Sequence, residues 1–229
     1  MGVHEVSGAA ALRHGARLAA TCALVGGATG IVSGVLFAAA FGVQVGVAAP
    51  DLTTLPASRA GLVRWAALTD MLGFYLLAVP VALHLGRRFD AWRDPVVLLA
   101  TVAGVVYAVI GSIGAVVVAS VVPPLLGSPD AAAALVLDVV RRTVFVGLWQ
   151  TLETIPWAVW MAVTGLRLRR WSRGLGGTAL AIGAAALLTA VGRFVGAEPL
   201  VAPAVTVAIA LYPLWLLGLG VHLMRTAAP

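Results

Sequence analysis

Six apolar runs, each long enough to cross a lipid bilayer, limit what this chain can fold into. A helix needs about 20 apolar residues to span the hydrocarbon core. Only helices and closed barrels can span it, because every backbone polar group there must be satisfied within the protein. The runs are continuous rather than alternating, which argues against a barrel. They fall at about 18–41, 62–85, 95–121, 142–166, 176–195 and 201–224. The expected fold is all-α: a single polytopic transmembrane bundle of six spans over residues 1–229, with no other stretch long enough to hold a second core.

Composition bears on the same point. Of 229 residues, 61% are hydrophobic and 10% are charged, with a mean hydropathy of +1.03. Soluble domains carry about 25% charged residues. All 15 basic residues are arginine, in a chain rich in Ala, Val and Gly, which points to a GC-rich bacterial genome and to the inner (cytoplasmic) membrane. A pI near 11.0 would suggest nucleic acid in a soluble protein. Here the arginines flank the spans, so they read as topology signals beside anionic lipid, and no nucleic-acid partner is expected.

Their distribution also gives an orientation. With the N-terminus inside, Arg13, Arg17, Arg87, Arg88, Arg93, Arg167, Arg169, Arg170, Arg173 and Arg225 are cytoplasmic. Arg59, Arg64, Arg141, Arg142 and Arg193 lie on the other side. Ten against five satisfies the positive-inside rule and puts both termini in the cytoplasm. The first run is longer than the core of a signal peptide, so it is read as a retained span. Two outer loops are long, Gly42 to Ala60 and Pro123 to Val140. In the second, Ser128-Pro129-Asp130 reads as a helix start with Ser128 as the cap, leading to a helix that lies on the surface or runs into the fourth span.

Small residues line two of the spans. Gly26, Gly30 and Gly34 recur every four residues in span 1, and Gly104, Gly111 and Gly114 give span 3 a similar face. Such faces let helix backbones approach closely, within one subunit or between copies in a homo-oligomer.

Ionisable residues within spans are costly in lipid and face a partner, water or the bundle interior. There are three: Asp70, Glu153 and Arg193. All fall in the outer half of the bilayer, so Arg193 is expected to neutralise one acid across helices and leave the other as a candidate proton donor. Span 4 is the richest helix. Trp149, Glu153, Trp157 and Trp160 form one stripe with Gln150 beside it, and Tyr75, Tyr107 and Tyr212 reach similar depth on spans 2, 3 and 6.

The expected pocket lining is Asp70, Tyr75, Tyr107, Trp149, Gln150, Glu153, Trp157 and Arg193. The bound molecule would be small and apolar or amphipathic. The catalytic candidates, if the chain is an enzyme, are Glu153 and Asp70. No metal and no cofactor is expected. Cys22 is the only cysteine, and the chain has no phosphate-binding glycine loop, HExxH, CxxC or nucleophile elbow.

The stretch from Arg59 to Leu62, Thr69-Asp70-Met71-Leu72-Gly73-Phe74-Tyr75, Pro80 to Leu83, and the small-residue run Gly111-Ser112-Ile113-Gly114-Ala115 resemble a pattern in uncharacterised six-span bacterial membrane proteins. That resemblance implies six spans with an acid early in span 2, and no activity. The combination of buried acids and aromatic rings is also similar to small membrane-embedded terpene cyclases, which use such acids for protonation. Three roles follow: binding or moving a small molecule, acid catalysis, and a structural or regulatory membrane partnership. Binding or transport requires a water-accessible cavity reaching Glu153, catalysis a closed pocket with an aromatic wall and one acid without a basic partner, and the structural role a tight Asp70–Arg193 pair with no cavity.

Overall fold

A computed structural model describes residues 3–42 and 50–226, with side chains from His14 onward. Part of the expected Gly42–Ala60 loop, residues 43–49, lies outside the described residues. The described chain is helical apart from short turns and connections. Its elements are α1 (Val3–Phe41), α2 (Ala60–Asp70), α3 (Ala78–Arg88), α4 (Pro95–Val121), α5 (Ala131–Val140), α6 (Thr154–Leu168), α7 (Arg173–Val195) and α8 (Glu198–Thr226). A π segment, Met71–Leu76, follows α2, and a second, Arg141–Leu152, follows α5.

Five helical stretches are long and apolar enough to cross a membrane: His14–Phe41, Ala57–Arg88, Pro95–Leu125, Arg173–Val195 and Glu198–Thr226. They correspond to expected spans 1, 2, 3, 5 and 6. The stretch from α5 through α6, at the expected fourth span, is less apolar because Gln150, Thr151, Glu153 and Thr154 occupy its centre. The first helix starts at Val3 rather than near Leu18, so its basic N-terminal part is helical too. Asp130, not Ser128, caps α5: its carboxylate accepts the Ala132 N–H at 2.9 Å, while Ser128 Oγ accepts the Asp130 N–H at 3.3 Å. The charged acceptor takes the capping position. The helix then runs directly into the second π segment.

The helices close into a ring. α1 packs on α8, α8 on α7, α7 on α6, α6 on α4, α4 on α2 and α3, and these return to α1. Such a ring has an axis that must be filled by long side chains or left open. Toward the face that carries both chain ends, large side chains fill it: Trp160, Trp215, Leu219 and Leu223 are almost fully buried. The small residues make this possible. A methyl on Gly104 would come within 2.9 Å of the Trp160 ring, and one on Gly73 within 2.4 Å of the Gly30 backbone nitrogen. The glycine faces of spans 1 and 3, Gly34 excepted, are therefore occupied from within the chain.

Polar ties hold the ring's edge. Asp94 caps α4 by accepting the Val96 N–H at 3.0 Å, and the same carboxylate pairs with Arg167 at the end of α6. Arg88 lies 4.6 Å over the Trp171 ring. At the opposite face, Arg59 donates to the Ala39 carbonyl at 2.5 Å, fastening the segment before α2 to the end of α1.

Candidate functional site

Toward the face opposite the chain ends, the axis is not filled. A cavity of about 140 Å³ lies there, and residues from α1, α2, α4, α6, α7, α8 and both π segments wall it. It extends to Phe41 and Pro50, at the end of α1 and just beyond. An engineered cavity of about 150 Å³ holds benzene, which sets the scale of an occupant.

Both acids stand at the ends of π segments. Asp70 is the last residue of α2 before Met71–Leu76, and Glu153 joins Arg141–Leu152 to α6. A π turn is wider than an α turn and is frequent at functional sites. Pro156 contributes on the second helix: it has no N–H to bond the Leu152 carbonyl, so regular α bonding is interrupted where the π segment ends. Neither π segment was expected from the sequence.

Asp70 is 8% exposed and accepts one hydrogen bond, from Ser33 Oγ at 3.3 Å; the same hydroxyl also approaches the Ala66 carbonyl at 3.2 Å. Glu153 is 5% exposed, and its Oε1 accepts the Tyr75 hydroxyl at 3.3 Å. Among the described residues Glu153 Oε2 has no hydrogen-bond partner, and neither has Trp157 Nε1 one helical turn further on. Buried polar atoms are nearly always hydrogen-bonded, so two orphans in the wall of one cavity mark a place where a ligand or water is needed. Three further polar groups of the wall are engaged. Trp149 Nε1 donates to the Gly111 carbonyl at 3.2 Å, and the hydroxyls of Thr154 and Thr189 bond carbonyls of their own helices.

Aromatic rings make most of the rest of the wall. Tyr107 stacks on Trp157 with centroids 5.2 Å apart, and Tyr75 tilts against Tyr107 at the same distance. Tyr212 meets Trp157 edge-on at 5.4 Å behind them.

Of the eight residues expected to line a pocket, seven do: Asp70, Tyr75, Tyr107, Trp149, Gln150, Glu153 and Trp157. Arg193 does not. Its guanidinium donates to Gln150 Oε1 and, at 2.5 Å, to Glu198 Oε1. The expected pairing of Arg193 with Asp70 or Glu153 is thus not made. Gly196, with φ +72°, turns the chain after α7 and brings Glu198 at the start of α8 back to Arg193. This acid at the bundle's rim costs less desolvation to reach than either buried acid. Among the described residues, neither Asp70 nor Glu153 has a basic partner within 4.0 Å.

Ser33 is the residue that sequence reading missed. Its signal was present: a hydroxyl beside Gly34, on a helix whose small residues had already marked it as packed against a neighbour. Two buried carboxyl groups without a base, beside aromatic faces, can hold a polar or charged group and can give or take protons. Compared with known proteins, the chain matches no family model, no curated protein and no solved structure.

Proposed function

We propose that this chain is a six-span protein of a bacterial inner membrane, with both termini cytoplasmic, and that its cavity binds or moves a small apolar or amphipathic molecule. The arginine asymmetry supports the orientation, with the cavity lying toward the outer leaflet. The stretch at about 142–166 acts as the fourth span, its polar centre turned inward to the cavity rather than to lipid. The likeness to six-span bacterial membrane proteins fits this count. One observation carries the binding reading: Glu153 Oε2 and Trp157 Nε1 are buried, unpartnered and part of the wall of one cavity.

A second reading is acid catalysis, with Glu153 or Asp70 as proton donor. It is favoured by the lack of a base on either acid and by the stacked Tyr107 and Trp157 rings, which suit a cationic intermediate. The structural role required an Asp70–Arg193 pair, and Arg193 is engaged elsewhere.

Gly34 offers a test, since a side chain added there meets nothing within 4 Å and the residue lines the cavity. Gly34→Cys in a Cys22→Ala background should react with a membrane-impermeant thiol reagent added outside intact cells. Benzyl alcohol, a probe of suitable size, should slow the labelling. Labelling that is absent from outside, or indifferent to benzyl alcohol, contradicts the proposal.

A further inference from the structure

The charge inventory of the cavity narrows the class of occupant. Among the described residues it is lined by two carboxyl groups and no basic side chain. Arg193, the base expected in the lining, is bound to Gln150 and paired with Glu198. Of the other titratable groups, Tyr75 after α2 bonds Glu153, Tyr107 on α4 lines the same cavity, and Tyr212 on α8 lies behind Trp157. From α1 the acids meet only the Ser33 hydroxyl. A carboxylate in such a setting has no compensating charge, and burying an isolated charge costs several kcal/mol even after relaxation. A cation supplies that charge, and aromatic faces attract it as well.

We infer that the occupant is a small organic cation with one apolar end, and that its entry displaces a proton from the Asp70–Glu153 pair. The inference rests on the binding reading above and gives it a ligand class. The step conserves charge: one monovalent cation enters, one carboxyl ionises, and its proton passes to solvent. Two carboxyls allow a second proton to leave with a second positive charge. Exchange of this kind couples occupancy to pH, and in a transporter it would couple cation movement to the proton gradient. The two acids are also held differently. Asp70 is tied to Ser33, whereas Glu153 keeps one oxygen free for the incoming ammonium.

Benzylammonium and benzyl alcohol, nearly equal in shape and different in charge, test this on the full-length protein in nanodiscs. Isothermal titration at several pH values, in two buffers of different ionisation enthalpy, reads affinity and protons released. Benzylammonium should bind more tightly, with its affinity rising about tenfold per pH unit for each proton displaced. Benzyl alcohol should bind without pH dependence. Asp70→Asn combined with Glu153→Gln should abolish proton release and the preference for the cation while keeping benzyl alcohol binding, which reports an intact pocket, and Glu153→Gln alone should weaken both. Equal binding of both probes without proton release overturns the cation inference and leaves the pocket reading standing. Binding of neither overturns both.

Discussion

Gly111→Ala is the sharpest probe of how the site is built. A methyl at this position on α4 would lie 1.9 Å from a carbon of the Tyr75 ring. Carbon atoms rest about 3.5–4.0 Å apart, so the ring would have to retreat by roughly 2 Å. It has little space to do so, because Tyr75 is 4% exposed and packed against Tyr107 and Phe74. Overpacking of this kind costs about 1–3 kcal/mol. The retreat also breaks the Tyr75–Glu153 hydrogen bond, leaving a second carboxyl oxygen without a partner for about 1–3 kcal/mol more. We expect a total of about 4 kcal/mol, the middle of the summed range of these two costs. Reversible unfolding in mixed detergent–lipid micelles would measure it. The decisive comparison is the same substitution in a Tyr75→Ala background, where the ring is gone and the cost should nearly vanish. A Gly111→Ala protein as stable as the parent, or an equal cost in both backgrounds, refutes the reasoning.

Three further outcomes follow from the geometry. Asp94→Asn should keep the α4 cap and lose only the half-exposed pair with Arg167, for about 1 kcal/mol or less, whereas Asp94→Ala should lose the cap as well, for about 1 kcal/mol more; unfolding midpoints of the two variants compare them. Trp160→Ala should destabilise by about 3–5 kcal/mol, because the ring is 1% exposed and fits the face of Gly104. Arg141 and Arg142 hydrogen-bond Asp138 and hold its carboxyl below the ordinary 3.8. Its contribution is therefore fully present above that value and lost as pH falls through the lower folded-state value, so Asp138→Asn should differ from the parent in thermal unfolding at neutral pH and converge with it in strong acid.

Much of this architecture could be read from the residues. Length and apolarity located the five helices that are long and apolar enough to cross a membrane, because the cost of an unsatisfied backbone in lipid leaves few alternatives. The same cost made the buried acids conspicuous, and the four-residue spacing of Glu153 and Trp157 placed them on one side of a helix. The partner of Arg193 was not legible. Depth along the helices made Asp70 and Glu153 look reachable, but the choice depended on a left-handed turn at Gly196 that set Glu198 within reach. The π segments were also hidden, since Met71–Leu76 and Arg141–Leu152 carry no residue pattern that distinguishes them from an α-helix. Ser33 was visible as a hydroxyl, but its partner, 37 residues away, depended on how α1 and α2 cross.

The measurement that bears most directly on the central claim is a structure of the protein in nanodiscs with 4-iodobenzyl alcohol, whose iodine is easily located. The account predicts the iodinated ring in the cavity among Asp70, Tyr107 and Glu153, with its hydroxyl on Glu153 Oε2 or Trp157 Nε1. Iodine found only against the lipid-facing surface, with side chains closing the space beside Glu153, would contradict it.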